Sequence, residues 1–172
     1  AQLARRAQAV ERQAALDDLD AGIERAVHLT AQLLQLARLE PDQRAPVKEP
    51  VALDTLVRQE VATFSAQADQ RETDLGLLCA EPLVVSGDRL ALRAMLDNLI
   101  DNALRYTPKG ARVDVSLCRD GTDAVLTVCD NGPGVAAADR SKALRRFVRL
   151  NDTDVTGSGL GLAIVCETVR MH

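Results

Sequence analysis

Ala124-Val125-Leu126-Thr127-Val128-Cys129-Asp130-Asn131-Gly132-Pro133-Gly134 changes its rule partway along. Up to Asp130, apolar residues at 124, 126 and 128 alternate with those of the other face, the period of a strand packed on one side. Beyond it come two glycines around a proline, where no strand continues. Val113, Val115 and Leu117 alternate the same way upstream, and Asp120-Gly121 between the runs is a turn signal. The stretch therefore reads as the second strand of an antiparallel hairpin that delivers Asp130 to the end of a sheet. A carboxylate there is the acceptor needed to read an exocyclic amine such as that of adenine, and Gly132 and Gly134 let the backbone approach the ring. The same Asp before Gly-Pro-Gly is equally an ordinary turn residue, so its meaning depends on its company.

Two further stretches supply that company. In Asn98-Leu99-Ile100-Asp101-Asn102-Ala103-Leu104-Arg105-Tyr106, the two asparagines are four apart and share a helical face. An asparagine carbonyl is a neutral hard-oxygen ligand suited to Mg²⁺ held mainly by phosphates and water. Arg105, a turn further on, can hold phosphate oxygens, and Tyr106 offers a flat ring to a base. Alone, the pair reads equally as two solvated amides. Gly157-Ser158-Gly159-Leu160-Gly161-Leu162 puts N–H groups at the start of a helix, an anion site. A lone glycine-rich run of this kind is weak, but the three stretches in this order point to a nucleotide-phosphate site.

Working outward, Leu16, Leu19, Ile23, Ala26, Thr30, Leu33 and Ala37 follow heptad spacing, a coiled-coil or bundle seam. Leu29 and Leu36 form a second stripe beside it, as a four-helix bundle requires, so a partner helix from another subunit is expected. Leu3, Ala7, Val10 and Ala14 extend the spacing backwards, although Glu11-Arg12-Gln13 could equally be a turn between antiparallel helices. His28 falls on the outer face as an ordinary exposed histidine. Glu40-Pro41 stops the helix, and Pro41, Pro46 and Pro50 punctuate a linker over 41–50. Asp54 is a candidate N-cap for a helix to about Gln70, followed by strands at Leu75 to Ala80 and Leu83 to Val85. Ser86-Gly87-Asp88 caps the helix carrying the asparagines, and Pro108-Lys109-Gly110 ends it. After the hairpin, a helix is expected from about Ala137 to Leu144, then a polar loop from Asn151 to Thr156. The order after the linker reads αββαββα: an α+β sandwich, with helices covering one face of the sheet. The chain divides into a helical segment 1–40, the linker 41–50 and a domain 51–172.

Composition narrows the alternatives. Among 172 residues, 21 basic and 25 acidic give a net charge of -4, and aromatics are 2% with no Trp, which argues against nucleic acid as partner. Four cysteines without CxxC spacing and only two histidines indicate neither a zinc site nor a disulfide framework, so reduced thiols are expected. The sequence has no run of 18 apolar residues, which makes this a soluble piece.

The ordered set NLIDNALRYTP, DNGPGV, RRFVRL and GSGLGLAIV resembles the N, G1, F and G2 boxes of bacterial sensor histidine kinases, closest in detail to the QseC-like subgroup of membrane sensors. Leu16 to Leu39 followed by Glu40-Pro41 resembles the second helix of their dimerisation domain, so the likeness covers essentially the whole chain. It implies the α/β sandwich of the histidine kinase and Bergerat ATPase type, with ATP and Mg²⁺ as cofactors. Asn102 becomes the Mg²⁺ ligand with Asn98 supporting it, Arg105 a phosphate contact and Tyr106 a wall of the base pocket. Asp130 reads adenine, flanked by Gly132 and Gly134. Thr156, Gly157, Ser158, Gly159, Leu160 and Gly161 form the phosphate side of a mobile lid, with Phe147 its packing anchor. Many relatives have an aromatic three residues before Phe147, where this chain has Leu144.

One position separates reaction types. The superfamily's ATP hydrolases carry a water-activating glutamate four residues before the Mg²⁺ asparagine; Asn98 stands there and cannot serve as that base. The resemblance thus implies slow hydrolysis and transfer to a protein histidine, relayed to the aspartate of a response-regulator receiver domain. The family's acceptor box is not matched by His28, so an N-terminal truncation just after that box is expected. Final strands of the family fold are expected beyond His172. Partners implied are a second copy through the helical segment, a receiver domain, and the bacterial inner membrane only through the parent protein, this part lying on its cytoplasmic face. Two other readings stay open: a non-catalytic dimerisation and nucleotide-sensing module, and an ATP hydrolase.

Overall fold

The computed structural model describes residues 48–149 and 158–172, together with Arg12, Leu19, Gly22, Ala26, Leu29, Thr30 and Leu33. Elements follow in the order β1 (Glu49–Ala52), α1 (Leu53–Gln70), β2 (Asp74–Ala80), β3 (Val84–Gly87), α2 (Arg89–Tyr106), β4 (Arg112–Asp120), β5 (Asp123–Asp130), α3 (Arg140–Ala143) and α4 (Gly161–Met171). β2 pairs parallel with β4, which pairs antiparallel with β5, giving a mixed sheet in the order β2-β4-β5. β1 and β3 form a separate antiparallel ribbon.

The alternation in the hairpin does what its period requires. Val113, Val115 and Leu117 are fully buried, while Asp114, Ser116 and Cys118 between them face the other side. α1 and α2 cover the buried face, with Leu56, Val57, Leu96, Ile100 and Leu104 almost completely withdrawn from water. Each such side chain contributes about 1.5–3 kcal/mol on burial. The opposite face carries no helix among the described residues, and Leu78 and Val125 stay exposed.

Asp88 caps α2: its carboxylate accepts the N–H groups of Leu90 at 2.8 Å and Ala91 at 3.1 Å. α4 runs antiparallel along α2. Its first residue lies at Asn98 and Asn102, and its last turn reaches back to the cap, where the His172 Nε2 accepts the Asp88 N–H at 2.9 Å. The His172 Nδ1 lies 2.7 Å from the Thr168 carbonyl, which assigns the ring proton to Nδ1.

Three local expectations change. Glu49 and Pro50, assigned to the linker, form β1; Pro50 sits opposite Ser86 in a two-stranded ribbon, where a missing N–H is tolerated. Asp54 is not the N-cap of α1. That position is Ala52, which makes no side-chain cap, and Asp54 lies in the first turn, where its charge still meets the helix N-terminus. The helix expected over 137–144 contracts to the single turn α3, which buries no residue and so has no packing to extend it. The resulting order is βαββαββαα rather than αββαββα.

In the N-terminal segment the seven described residues are helical, including Arg12 from the tripeptide weighed as a turn. The Thr30 hydroxyl donates to the Ala26 carbonyl at 2.7 Å. Leu16, Ile23, His28, Leu36, Ala37, the Glu40-Pro41 stop and linker residues 41–47 lie outside the described residues.

Candidate nucleotide site

Asn98 is 8% exposed, and its Nδ2 donates to the Ala94 carbonyl at 2.7 Å, which fixes the amide and turns Oδ1 toward the start of α4. A Cβ on Gly161 would lie 2.8 Å from that Oδ1 and 3.4 Å from the Asn102 Nδ2. Gly161 therefore serves by its absent side chain. It lets the N-terminus of α4 rest against both asparagines, so two amides meet the positive end of a helix dipole. The Ser158 hydroxyl accepts the Leu160 N–H at 3.2 Å, and Leu160 is fully buried just ahead of the helix. Two neutral amide oxygens fit Mg²⁺ only as minority ligands, with phosphate and water completing the shell.

The other end is built where β5 meets the C-terminus of α2. Asp130 is exposed, and its Oδ1 accepts the Gly132 N–H at 2.9 Å in a tight Asx-type turn. A Cβ on Gly132 would fall 2.9 Å from that oxygen, 3.1 Å from the Thr107 methyl and 3.2 Å from the Tyr106 carbonyl. Glycine here is demanded by close approach, whereas Gly134 has open space and a φ of 66°, so its demand is conformational. Asn131 is structural: its Oδ1 accepts the Arg112 N–H at 2.8 Å, closing the open end of the hairpin. Tyr106, 44% exposed, stands beside this corner. From Asn98 to Tyr106 the helix rises about 12 Å, so the acidic corner and the asparagine pair lie along one edge of α2.

Phe147 and Gly159 are held together across residues 148–158. The Phe147 N–H donates to the Gly159 carbonyl at 2.9 Å, and a Cβ on Gly159 would lie 2.8 Å from the Phe147 carbonyl carbon. Both residues have positive φ, 63° and 69°, and such strain in a phenylalanine marks an over-determined position. Phe147 is 64% exposed, and its contact with Gly159 is made by the backbone. Thr156, Gly157 and the loop from Asn151 lie outside the described residues.

Arg105 already has an acidic partner on its own helix. Its guanidinium is ion-paired with Asp101 at 2.7 Å, both side chains largely covered, so a phosphate contact requires sharing or exchanging that partner. Thr107, which closes the corner at Gly132, was missed; its one signal was its place directly after Tyr106. A second unforeseen feature lies between α1 and α2. Glu60, 3% exposed, is held by Arg93 at 2.9 Å, and its Oε2 is buried without a hydrogen-bond partner among the described residues. Burial pushes the neighbouring Asp97 carboxyl up to about 7, helped by its hydrogen bond to Glu60 and the charges of Glu60 and Asp101, against Arg93. A proton on Asp97 supplies the donor that the Glu60 oxygen otherwise lacks.

A family profile described as histidine kinase-, DNA gyrase B-, and HSP90-like ATPase matches residues 87–172. The swarming motility regulation sensor protein RssA of Serratia marcescens is 39% identical over 155 residues, 90% of this chain and 33% of RssA. The sensor protein QseC of Escherichia coli K12 is 38% identical over 162 residues, 94% of this chain and 35% of QseC. The chain thus spans about one third of the length of these curated relatives. Among solved structures, full-length ShkA in complex with AMPPNP superposes with a TM-score of 0.72 at 30% identity, covering 85% of this chain and 31% of ShkA.

Proposed function

The chain belongs to the family of histidine kinase-, DNA gyrase B- and HSP90-like ATPases, and from that premise we propose that it is the ATP-binding catalytic portion of a sensor histidine kinase. The reading rests on one observation above all: the Asp130–Gly132 turn meets Tyr106–Thr107 at one end of α2, while Asn98, Asn102 and the start of α4 meet along the same helix. A base seated at Asp130 would lay its phosphates toward the asparagines and the α4 N-terminus. Asp130 accepts from the exocyclic amine of adenine, Tyr106 flanks the ring, and Gly132 and Gly134 let the backbone close on it. Asn102, with Asn98 behind it, would hold Mg²⁺, which when bound would offset negative charge on the phosphates. Ser158, Gly159 and Gly161 would line the phosphate side, with Thr156 and Gly157 assigned to it from the sequence alone, and Arg105 would join it by exchanging Asp101.

The chemistry favoured is transfer to a histidine. Asn98 offers an amide where a hydrolase needs a base, and its nitrogen is committed to the Ala94 carbonyl. The acceptor would be a histidine of the helical dimerisation domain, relayed to the aspartate of a receiver domain. Homodimerisation through the helical segment agrees with the exposure of Leu19, Leu29 and Leu33 on it. Among the described residues no helix is long and apolar enough to cross a membrane; the proposed place is the cytoplasmic side of a membrane sensor. The test presents γ-labelled ATP, Mg²⁺ and an acceptor helix bearing the histidine box to this chain. Acid-labile label on the helix, formed faster than free phosphate, supports transfer. Phosphate release outpacing labelling supports a hydrolase, and bound nucleotide with no label supports a sensing module.

A further inference from the structure

On the sheet face without helices, β2 and β4 bring together Cys79, Glu81 and Cys118, whose ligand atoms all lie within 4.8 Å of one another. Their sequence spacing gives no hint of this, because the contact is made across parallel strands. The register accounts for it. From Asp74↔Arg112 to Leu77↔Val115 the two strands run in step, and Leu77 packs on the core beside the fully buried Val115. Continued in step, Cys79 would stand opposite Leu117 and point into the core. A bulge between Leu77 and Cys79 prevents this: Leu78 is extruded, 62% exposed, and Cys79 pairs with Ser116 instead. Cys79 is thereby turned to the outer face that Ser116 and Cys118 share. The ladder then runs one step further, with the Glu81 N–H on the Leu117 carbonyl at 3.0 Å, which sets Glu81 beside Cys118. The Glu81 Oε2 accepts the Arg119 N–H at 3.0 Å, so the carboxylate is oriented.

We propose that Cys79, Glu81 and Cys118 form an open, three-ligand site for a thiophilic divalent cation of the zinc class. Two thiolates and a carboxylate are a donor set for zinc rather than for magnesium or calcium. Zinc bonds of about 2.3 Å to sulfur and 2.0–2.2 Å to oxygen set tetrahedral edges of roughly 3.4–3.8 Å, so the three atoms close onto an ion by moving about 1 Å. Cys79 is exposed and Cys118 half-buried, which leaves an entry path and room for water as the fourth ligand. The Arg119 N–H acts as the outer hydrogen bond that positions a metal-binding carboxylate. The site lies on the side of the sheet away from α2 and α4 and is independent of nucleotide.

The test is titration of the reduced 172-residue chain with Co²⁺, followed by the thiolate-to-cobalt absorption band and then by displacement with Zn²⁺. One ion per chain is expected. The band is lost in Cys79→Ser and in Cys118→Ser, is weakened at least tenfold in affinity by Glu81→Gln, and is retained in Cys129→Ser and Cys166→Ser. Glu81→Gln keeps an acceptor for the Arg119 N–H, so its loss of affinity reports ligation rather than misfolding. Absence of the band, its survival in the Cys79 and Cys118 variants, or one ion shared between two chains would overturn the proposal. So would conversion of the pair to a disulfide in air, seen as a loss of about 2 Da in mass, with no Co²⁺ bound by the reduced form.

Discussion

Replacing Asp97 with asparagine isolates the proton that α1 and α2 share. The carboxyl is pushed up to about 7 from an ordinary 3.8, chiefly by burial and then by Glu60. The folded chain therefore binds more protons than the unfolded chain across that window. Stability from this group is fully present below the unfolded value, falls as pH rises toward about 7, and is flat above it. A rise of about three units is worth ~4 kcal/mol at full weight. Asp97 is only half-buried and Arg93 stands near, so screening reduces this to roughly 1–2 kcal/mol. Asparagine carries a donor for the Glu60 Oε2 at every pH and mimics the protonated acid. Urea unfolding followed by circular dichroism from pH 4 to 8.5 should show wild type and Asp97→Asn together near pH 4, with the variant more stable by about 1–2 kcal/mol above pH 7. Carboxylates that do not interact with Asp97, which excludes Glu60 and Asp101, cancel in this difference. A variant that is equal to wild type at pH 8, or less stable there, would refute the shared-proton account.

Three further substitutions probe the framework. Gly161→Ala would gain up to about 1 kcal/mol of helix propensity, but its Cβ meets the Asn98 Oδ1 at 2.8 Å; overpacking of about 1–3 kcal/mol should dominate. Calorimetric titration should then show nucleotide affinity reduced roughly tenfold or more, as 1.4 kcal/mol implies, and undiminished affinity would contradict the close approach. Thr168→Val removes a fully buried hydroxyl that finds no partner among the described residues; a gain of about 1 kcal/mol should raise the melting temperature by about 2–4 °C. Asp88→Ala uncaps α2 and should cost about 1 kcal/mol in urea unfolding, with Asp88→Asn restoring most of it.

What the sequence disclosed follows from where information is local. The period-two hairpin, the Asp88 cap and the apolar stripe of α2 are written in neighbouring residues, and they stand where expected. β1 was missed because Pro50 reads as a breaker, while its partner β3 lies more than 30 residues away. α3 was overextended because apolar spacing says nothing of whether a surface exists to receive it. At the site, the residue types at Asp130, Gly132 and Gly161 were legible, but the reasons differ from one glycine to the next. Gly132 and Gly161 answer to neighbours on α2, Gly134 answers to its own φ, and Gly159 answers both to its φ and to the Phe147 backbone. The Arg105–Asp101 pair follows i,i+4 spacing within α2 and could have been read from it, whereas the Glu60–Asp97 pair and the Cys79–Glu81–Cys118 cluster depend on packing across elements, which no spacing rule encodes.

The central claim is that this edge of α2 binds an adenine nucleotide with its base at Asp130. Titration of the chain with AMPPNP, with and without Mg²⁺, tests it directly when wild type is set beside Asp130→Asn. The asparagine keeps an oxygen for the Gly132 N–H turn yet can turn a donor toward the donor amine of adenine. The account predicts saturable, Mg²⁺-dependent binding of one nucleotide to wild type and a loss of roughly tenfold or more in Asp130→Asn, the worth of a hydrogen bond to a charged group. Equal affinity in the two proteins would contradict it.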